Sequence, residues 1–231
     1  MKILKHAKLY LTHPMVLMAR IGKNSFLKFV SDERYLKALF RDKMGYPLNL
    51  NNPKTFNEKM QWLKIHDRKN EYTTMVDKYA AKKYVSDIIG EEYVIPTIGV
   101  GDSFEDINFE CLPDQFVLKC THDSGGLVVC RDKSKFDKKI SRKIINASLK
   151  QNFYWGCREW PYKNVPPRIL AEKYMEDENE ALGLTDYKFF CFNGVPRMLY
   201  VSQGLEDHDT ASISFFDMNG ERMPFGRSDY K

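Results

Sequence analysis

The sequence predicts an α+β fold, and three observations predict it. Apolar residues at helical spacing crowd the chain before Gly90. Short β-rich runs separated by turn residues fill most of the remainder. Two Asn-Gly pairs mark tight hairpins. The strands therefore read as mainly antiparallel, with helices set between them rather than in strict alternation.

Taken in order, Ser31 and Asp32 followed by Glu33 open a helix through RYLKALFRDKM that stops at Gly45. Leu36, Leu39, Phe40 and Met44 share its apolar face. After an Asn/Pro-rich turn, Thr55 with Glu58 matches a capping box. The helix it opens is expected to bury Phe56, Met60 and Leu63, with Trp62 as an anchor. Residues 74–90, TMVDKYAAKKYVSDIIG, give one further helix ending at Gly90. YVIPTIGV reads as a strand that Pro96 assigns to a sheet edge or a strand end. FEDINF and LPD read as loop or short helical turns. FVLKC and GLVVC are two strands on a compact connection, KFDKKISRKIINASLKQ is a basic helix, and NFYWGCREWPYKNVPP is an aromatic loop. RILAEKYM and TDYKFFCFNGVPRMLYVS continue the β pattern with a turn at Asn193-Gly194. ISFFDMNGERMPF forms a last hairpin about Asn219-Gly220.

Composition sets the outer bounds. The 231 residues are 43% apolar and 29% charged, which excludes a disordered or fibrous chain. The net charge of +5 is uneven: residues 1–83 carry 18 Lys/Arg against 7 Asp/Glu, and the rest 18 against 24. A basic N-terminal third suits an anionic polymer or lipid surface, or is simply a solvated helical face. Five cysteines at 111, 120, 130, 157 and 191 lack any CxxC pair and read as buried free thiols of a reducing cytoplasm. The basic opening MKILKHAKLYLTHPMVLMARIGK is interrupted by Pro14 and is too short in apolar run for a membrane span or a signal peptide. A helix there either touches the inner membrane face or packs on its own protein.

The stretch FVLKCTHDSGGLVVC carries the most chemistry. Lys119 at a strand end can meet a phosphate, while Gly125 and Gly126 offer backbone N–H groups, Ser124 a hydroxyl and His122 a donor. A plain hairpin with a solvent-facing lysine remains the competing reading, since neither GxxxxGK[ST] nor GxGxxG occurs. Glu172 could accept from a sugar hydroxyl or orient a lysine, with Lys173 beside it. Asp186 and Lys188 share one strand face. Taken singly, Glu172 and Lys188 read as surface residues, and several lysines facing one cavity would repel without an anion between them. The rings of FYWGCREWPY either stack on a sugar with Arg158 gripping an acid, or cap the core. Asp207, His208 and Asp209 match no specific metal pattern.

The ordered blocks VDKYAAKKYV, IGEEYVIPTIGV, LPDQFVLKCTHDSGGLVVC, REWPYKNVPPRILAEKYM and DYKFFCFNGVP resemble ATP-grasp-like proteins of teichuronopeptide and surface or capsular polysaccharide biosynthesis, often labelled glycosyltransferases. The resemblance runs from about Lys54 onward. It implies two lobes with antiparallel sheets clamping ATP: a basic helical region at 1–73, a first lobe with a glycine-rich flap at 74–166, and a second lobe at 167–231. It implies that Lys78 contacts the nucleotide, that Lys119 meets its phosphates, and that Ser124, Gly125 and Gly126 form the flap. Glu172 is then the hinge acid near adenine or ribose, Lys173 and Tyr174 flank the base, and Lys188 reaches a phosphate or acyl phosphate. ATP and Mg²⁺ would be the cofactors. The partner would be an anionic polysaccharide or sugar precursor with an amino acid or peptide, and no nucleic acid is expected. The family's metal-binding acids would follow the last segment seen here, so an incomplete second lobe and weak or lost activity are expected; Asp217 and Asp229 are the substitutes. The location would be cytoplasmic, with possible membrane association. Two other functions stay open: a sugar-nucleotide glycosyltransferase, which would want a DxD motif, and a nucleotide- or polymer-binding module without catalysis.

Overall fold

The computed structural model describes residues 10–23, 27–176, 183–204 and 211–227. Its elements run α1 (Pro14–Gly22), α2 (Asp32–Met44), α3 (Phe56–His66), α4 (Glu71–Val76), α5 (Ala80–Ile89), β1 (Thr97–Gly101), β2 (Phe116–Cys120), β3 (Leu127–Cys130), α6 (Lys138–Leu149), α7 (Tyr154–Cys157), β4 (Ile169–Lys173), β5 (Asp186–Phe192), β6 (Val195–Gln203) and β7 (Ser212–Asp217). Two compact units result, Met1–Tyr174 and Met175–Lys231. The α+β class and the helical start stand as expected. The division falls after Tyr174 rather than at 166/167, because β4 pairs with β1 and β2 and so belongs to the first unit.

The first unit's sheet has the order β1-β4-β2-β3, all antiparallel. β1 is an edge, as Pro96 required. One sheet face carries Phe116, Leu118, Cys120, Ile169 and Ala171 into a core with Phe104, Ile107, Phe109 and Ile145 of α6. The opposite face carries Val117, Lys119, Leu170 and Glu172 by the two-residue period.

Local rules hold where their partners are local. Thr55 and Glu58 form the capping box in full. That carboxylate accepts from the backbone N–H groups of Lys54 and Thr55 at 2.9 Å and is thereby buried. Contrary to expectation, Phe56, Met60 and Leu63 of α3 are exposed at 55%, 40% and 39%, and Met44 at the end of α2 is exposed too. Leu36, Leu39 and Phe40 are buried as read. The helix expected over 74–90 is broken at Asp77, which takes an extended ψ of 112°. Its Oδ1 accepts from the Tyr79 N–H at 2.9 Å and its Oδ2 from Arg168 at 2.5 Å. An ion pair with a residue just ahead of β4 outweighs local helix preference.

Arg158 is not a ligand-facing group. It is fully buried, its Nε 3.2 Å from Asp32 Oδ1, and its Nη2 donates to the Leu27 carbonyl at 2.7 Å. The rings of Tyr35 and Trp155 lie 4.4 and 4.7 Å from its guanidinium. The aromatic segment thus ties α7 to the N-terminal helices, and burial lifts the Tyr35 hydroxyl to about 12. All five cysteines are free, but Cys111 and Cys191 are exposed while Cys120 and Cys130 are buried.

The second unit is a three-stranded antiparallel sheet, β5-β6-β7. Asn193 and Gly194, with φ of 51° and 77°, make the primed turn that strand twist demands. Phe190, Tyr200, Phe215 and Phe225 pack in tilted and edge-on pairs at centroid distances of 5.1 to 6.3 Å. Among the described residues no helix is long and apolar enough to cross a membrane.

Candidate functional site

β2 carries Lys119 one residue before its end at Cys120 and runs into the connection Thr121–Gly126. Three of its residues are fixed from below. His122, 2% exposed, meets the Ser148 and Gln151 carbonyls at 3.2 and 3.1 Å through Nε2, so that nitrogen carries the proton. Asp123 accepts from Ser148 Oγ and from the Gly126 N–H at 3.2 Å. Gly126 is packed so closely that an added Cβ would sit 2.4 Å from Ser148 Oγ and 2.7 Å from Cys120 Cβ. Only Ser124 and Gly125 are left exposed at the tip. The expected three-residue flap is therefore a two-residue tip on a rigid base, and His122 is a fastener of that base rather than a donor to a ligand. We expect Gly126→Ala to cost about 1–3 kcal/mol by overpacking, read as a lower urea midpoint, whereas Gly125→Ala, whose nearest neighbour is 3.5 Å away, should cost far less.

Lys78 stands in the break between α4 and α5. Its N–H donates to the Thr121 carbonyl at 3.2 Å, and its ammonium to the carbonyls of Cys120, at 3.0 Å, and Asp123. Burial pushes this lysine below its ordinary pKa, with Asp123 pulling the other way. Beside it, Glu172 on the inner strand β4 is only 4% exposed, not the surface residue expected of it alone. Its Oε1 lies 2.6 Å from Lys82 Nζ and its Oε2 2.6 Å from Lys119 Nζ. Burial opposes ionisation of this carboxyl, but the hydrogen bonds and charges of Lys119 and Lys82 prevail and hold its pKa below the ordinary carboxylate range. The anion needed between clustered lysines is thus supplied by the chain itself.

Lys78, Lys82, Lys119 and Glu172 line one open cavity of about 300 Å³, with Ala81, Val85, Tyr93, Val94 and Ile95 as its apolar wall. Three ammonium groups against one carboxylate leave an excess positive charge that suits a phosphate chain. Lys82 was missed in the sequence. Its signal was its place four residues after Lys78, obscured because the helix begins only at Ala80. Because the Glu172 pKa is lowered on folding, its contribution to stability is complete above the ordinary carboxylate range. That contribution fades as pH falls through the lowered value. Urea titrations from pH 7 to 3 should show wild type losing more stability than Glu172→Gln, which starts less stable and has the shallower acid slope.

Other predicted residues lie elsewhere. Lys173 points to the opposite sheet face from Glu172 and, with Tyr174, lines a separate groove of about 810 Å³ that includes Arg131, Asp114 and Asp132. That groove is larger, but it lacks the cluster of cations, so charge rather than volume singles out the lysine cavity. Tyr174 Oη accepts from Arg131 Nε at 3.1 Å. Lys188 belongs to the second unit, where its ammonium is 3.6 Å from Asp186 and 5.0 Å from the Tyr200 ring centroid. Asp217 is committed to its own turn, accepting from the N–H groups of Asn219 and Glu221 at 2.9 and 2.8 Å. Asp207, His208, Asp209 and Asp229 lie outside the described residues.

One family model, described as TupA-like ATPgrasp, matches residues 58–230, a span that contains every residue of the lysine cavity. No curated protein and no solved structure matches the chain.

Proposed function

The chain belongs to the TupA-like ATP-grasp family, and from that premise we propose that it is an ATP-dependent carboxylate–amine ligase of surface-polysaccharide or teichuronopeptide assembly, with an anionic sugar polymer or precursor and an amino acid or peptide as its substrates, working in the cytoplasm or at the inner membrane face. Family membership supports ligase-type chemistry in general. The observation that carries the finer reading is the set of three lysines around the buried Glu172. A carboxylate oxygen attacks the γ-phosphorus, the bond to the bridging oxygen of ADP breaks, and an acyl phosphate forms. An amine then attacks the acyl carbon and inorganic phosphate leaves. Lys119 and Lys78 offset the charge on the phosphoryl oxygens, Glu172 holds Lys119 and Lys82 in register, and the Ser124–Gly125 tip adds backbone donors.

The family also implies Mg²⁺. Among the described residues no group of three or more His, Cys, Asp or Glu could hold a metal ion.

Calorimetric titration tests the nucleotide first, with ATP and Mg²⁺ in one series and a UDP-sugar in the other. ATP binding with no response to the UDP-sugar is the expected result. Binding of the UDP-sugar alone would replace the ligase with a glycosyltransferase. ATP binding without ADP release, on addition of a uronic-acid polymer and an amino acid, would leave a nucleotide-binding module.

A further inference from the structure

The helical part of the first unit contains a third cavity, of about 560 Å³, that shares no residue with the lysine site. Its apolar walls are Met60 and Leu63 of α3, Val76 of α4, and Pro161. Met60 and Leu63 are the side chains that helical spacing would send to a core, yet they remain 40% and 39% exposed. Three charged side chains line the same space, Lys64, Glu159 and Asp67, and of the two carboxylates Asp67 is the one already engaged within the protein. Lys64 donates to the Cys157 carbonyl at 3.0 Å, which uses one of its three N–H groups. Glu159 has no side-chain ion-pair or hydrogen-bond partner among the described residues. Burial depresses the Lys64 pKa and the nearby Glu159 charge opposes that shift, so the two groups sense one another without forming a salt bridge. The other polar groups are largely spoken for: Tyr72 Oη donates to Asp67 at 3.0 Å.

Such a space asks for a ligand with both charges and an apolar body. We propose that this cavity binds an amphipathic zwitterion of amino-acid to dipeptide size, its carboxylate on Lys64, its ammonium on Glu159 and its side chain against Met60, Leu63 and Val76. A ligand with one charge would leave the other group without a partner, so both charges are required for tight binding. The inference does not depend on the nucleotide reading.

Calorimetry or ligand-observed NMR on the whole chain tests it, with L-leucine and leucyl-leucine as zwitterions and 4-methylpentanoate and 3-methylbutylamine as one-charge controls. At least one zwitterion should bind, and each control should bind roughly tenfold more weakly or worse. Glu159→Gln and Lys64→Met should each cause a loss of similar size, with circular dichroism confirming the fold. If Lys64→Met fails to fold, Leu63→Trp, which fills the cavity from a partly exposed position, should abolish binding without touching either charge. No binding by either zwitterion at millimolar concentration overturns the proposal. So does equal binding by the one-charge controls, or unchanged binding in Glu159→Gln and Leu63→Trp.

Discussion

Replacing Lys119 with alanine should weaken ATP binding by roughly ten- to a hundredfold, the value of one charge-assisted hydrogen bond to phosphate. Lys119 is the lysine of the cavity that combines reach with restraint: it sits one residue before the end of β2 with its side chain 31% exposed, and Glu172 fixes its ammonium at 2.6 Å. Lys119→Met keeps the packing of the stem and removes only the charge, so the two variants should lose similar affinity. Lys143→Ala, on the exposed side of α6, changes the net charge equally and should bind ATP as wild type does. Equal affinity in Lys119→Met and Lys143→Ala would remove the lysine cavity from consideration. Loss of affinity in both would point to a diffuse effect of net charge.

Asp32→Ala should be the most destabilising single substitution in the helical region, costing about 3–5 kcal/mol, because it strands the buried Arg158. Asp32 accepts from Arg68 at 2.7 Å and from Tyr154 Oη at 2.6 Å, and pairs with Arg158 at 3.2 Å. Losing it leaves a fully buried guanidinium with carbonyls and rings but no countercharge. For a unit of this size the melting midpoint should fall by roughly 6 to 20 °C. The double variant Asp32→Ala with Arg158→Leu should recover part of that loss, since the charge that needed a partner is gone as well. A single-variant cost below about 1 kcal/mol, measured by urea unfolding, would show that Arg158 draws enough from its rings and carbonyls alone.

Those two sites mark what the sequence did and did not reveal. Capping, turns and strand alternation depend on neighbours a few residues away, and Thr55 with Glu58, Asn193 with Gly194, and the β2–β3 hairpin were all legible. Lys78, Lys119 and Glu172 were legible as a set only through the family resemblance, because their meeting depends on β4 lying beside β2. Lys82, the break at Asp77 and the burial of Arg158 were not legible. The Asp77 carboxylate answers to Arg168 and the Arg158 guanidinium to Asp32, partners 91 and 126 positions distant in the chain. Periodicity also failed for α3, where the buried residue is the acid that turns back to cap the helix rather than the apolar stripe.

Lys78 has the further property of serving two masters. The same ammonium that faces the cavity also clasps the Cys120 and Asp123 carbonyls under the turn. On the proposed reading, an incoming phosphate would compete with the protein's own backbone for that cation. A ligand that drew the lysine outward would release the two carbonyls that anchor the base of the Ser124–Gly125 tip, so ligand capture and the hold on that base would form one linked equilibrium.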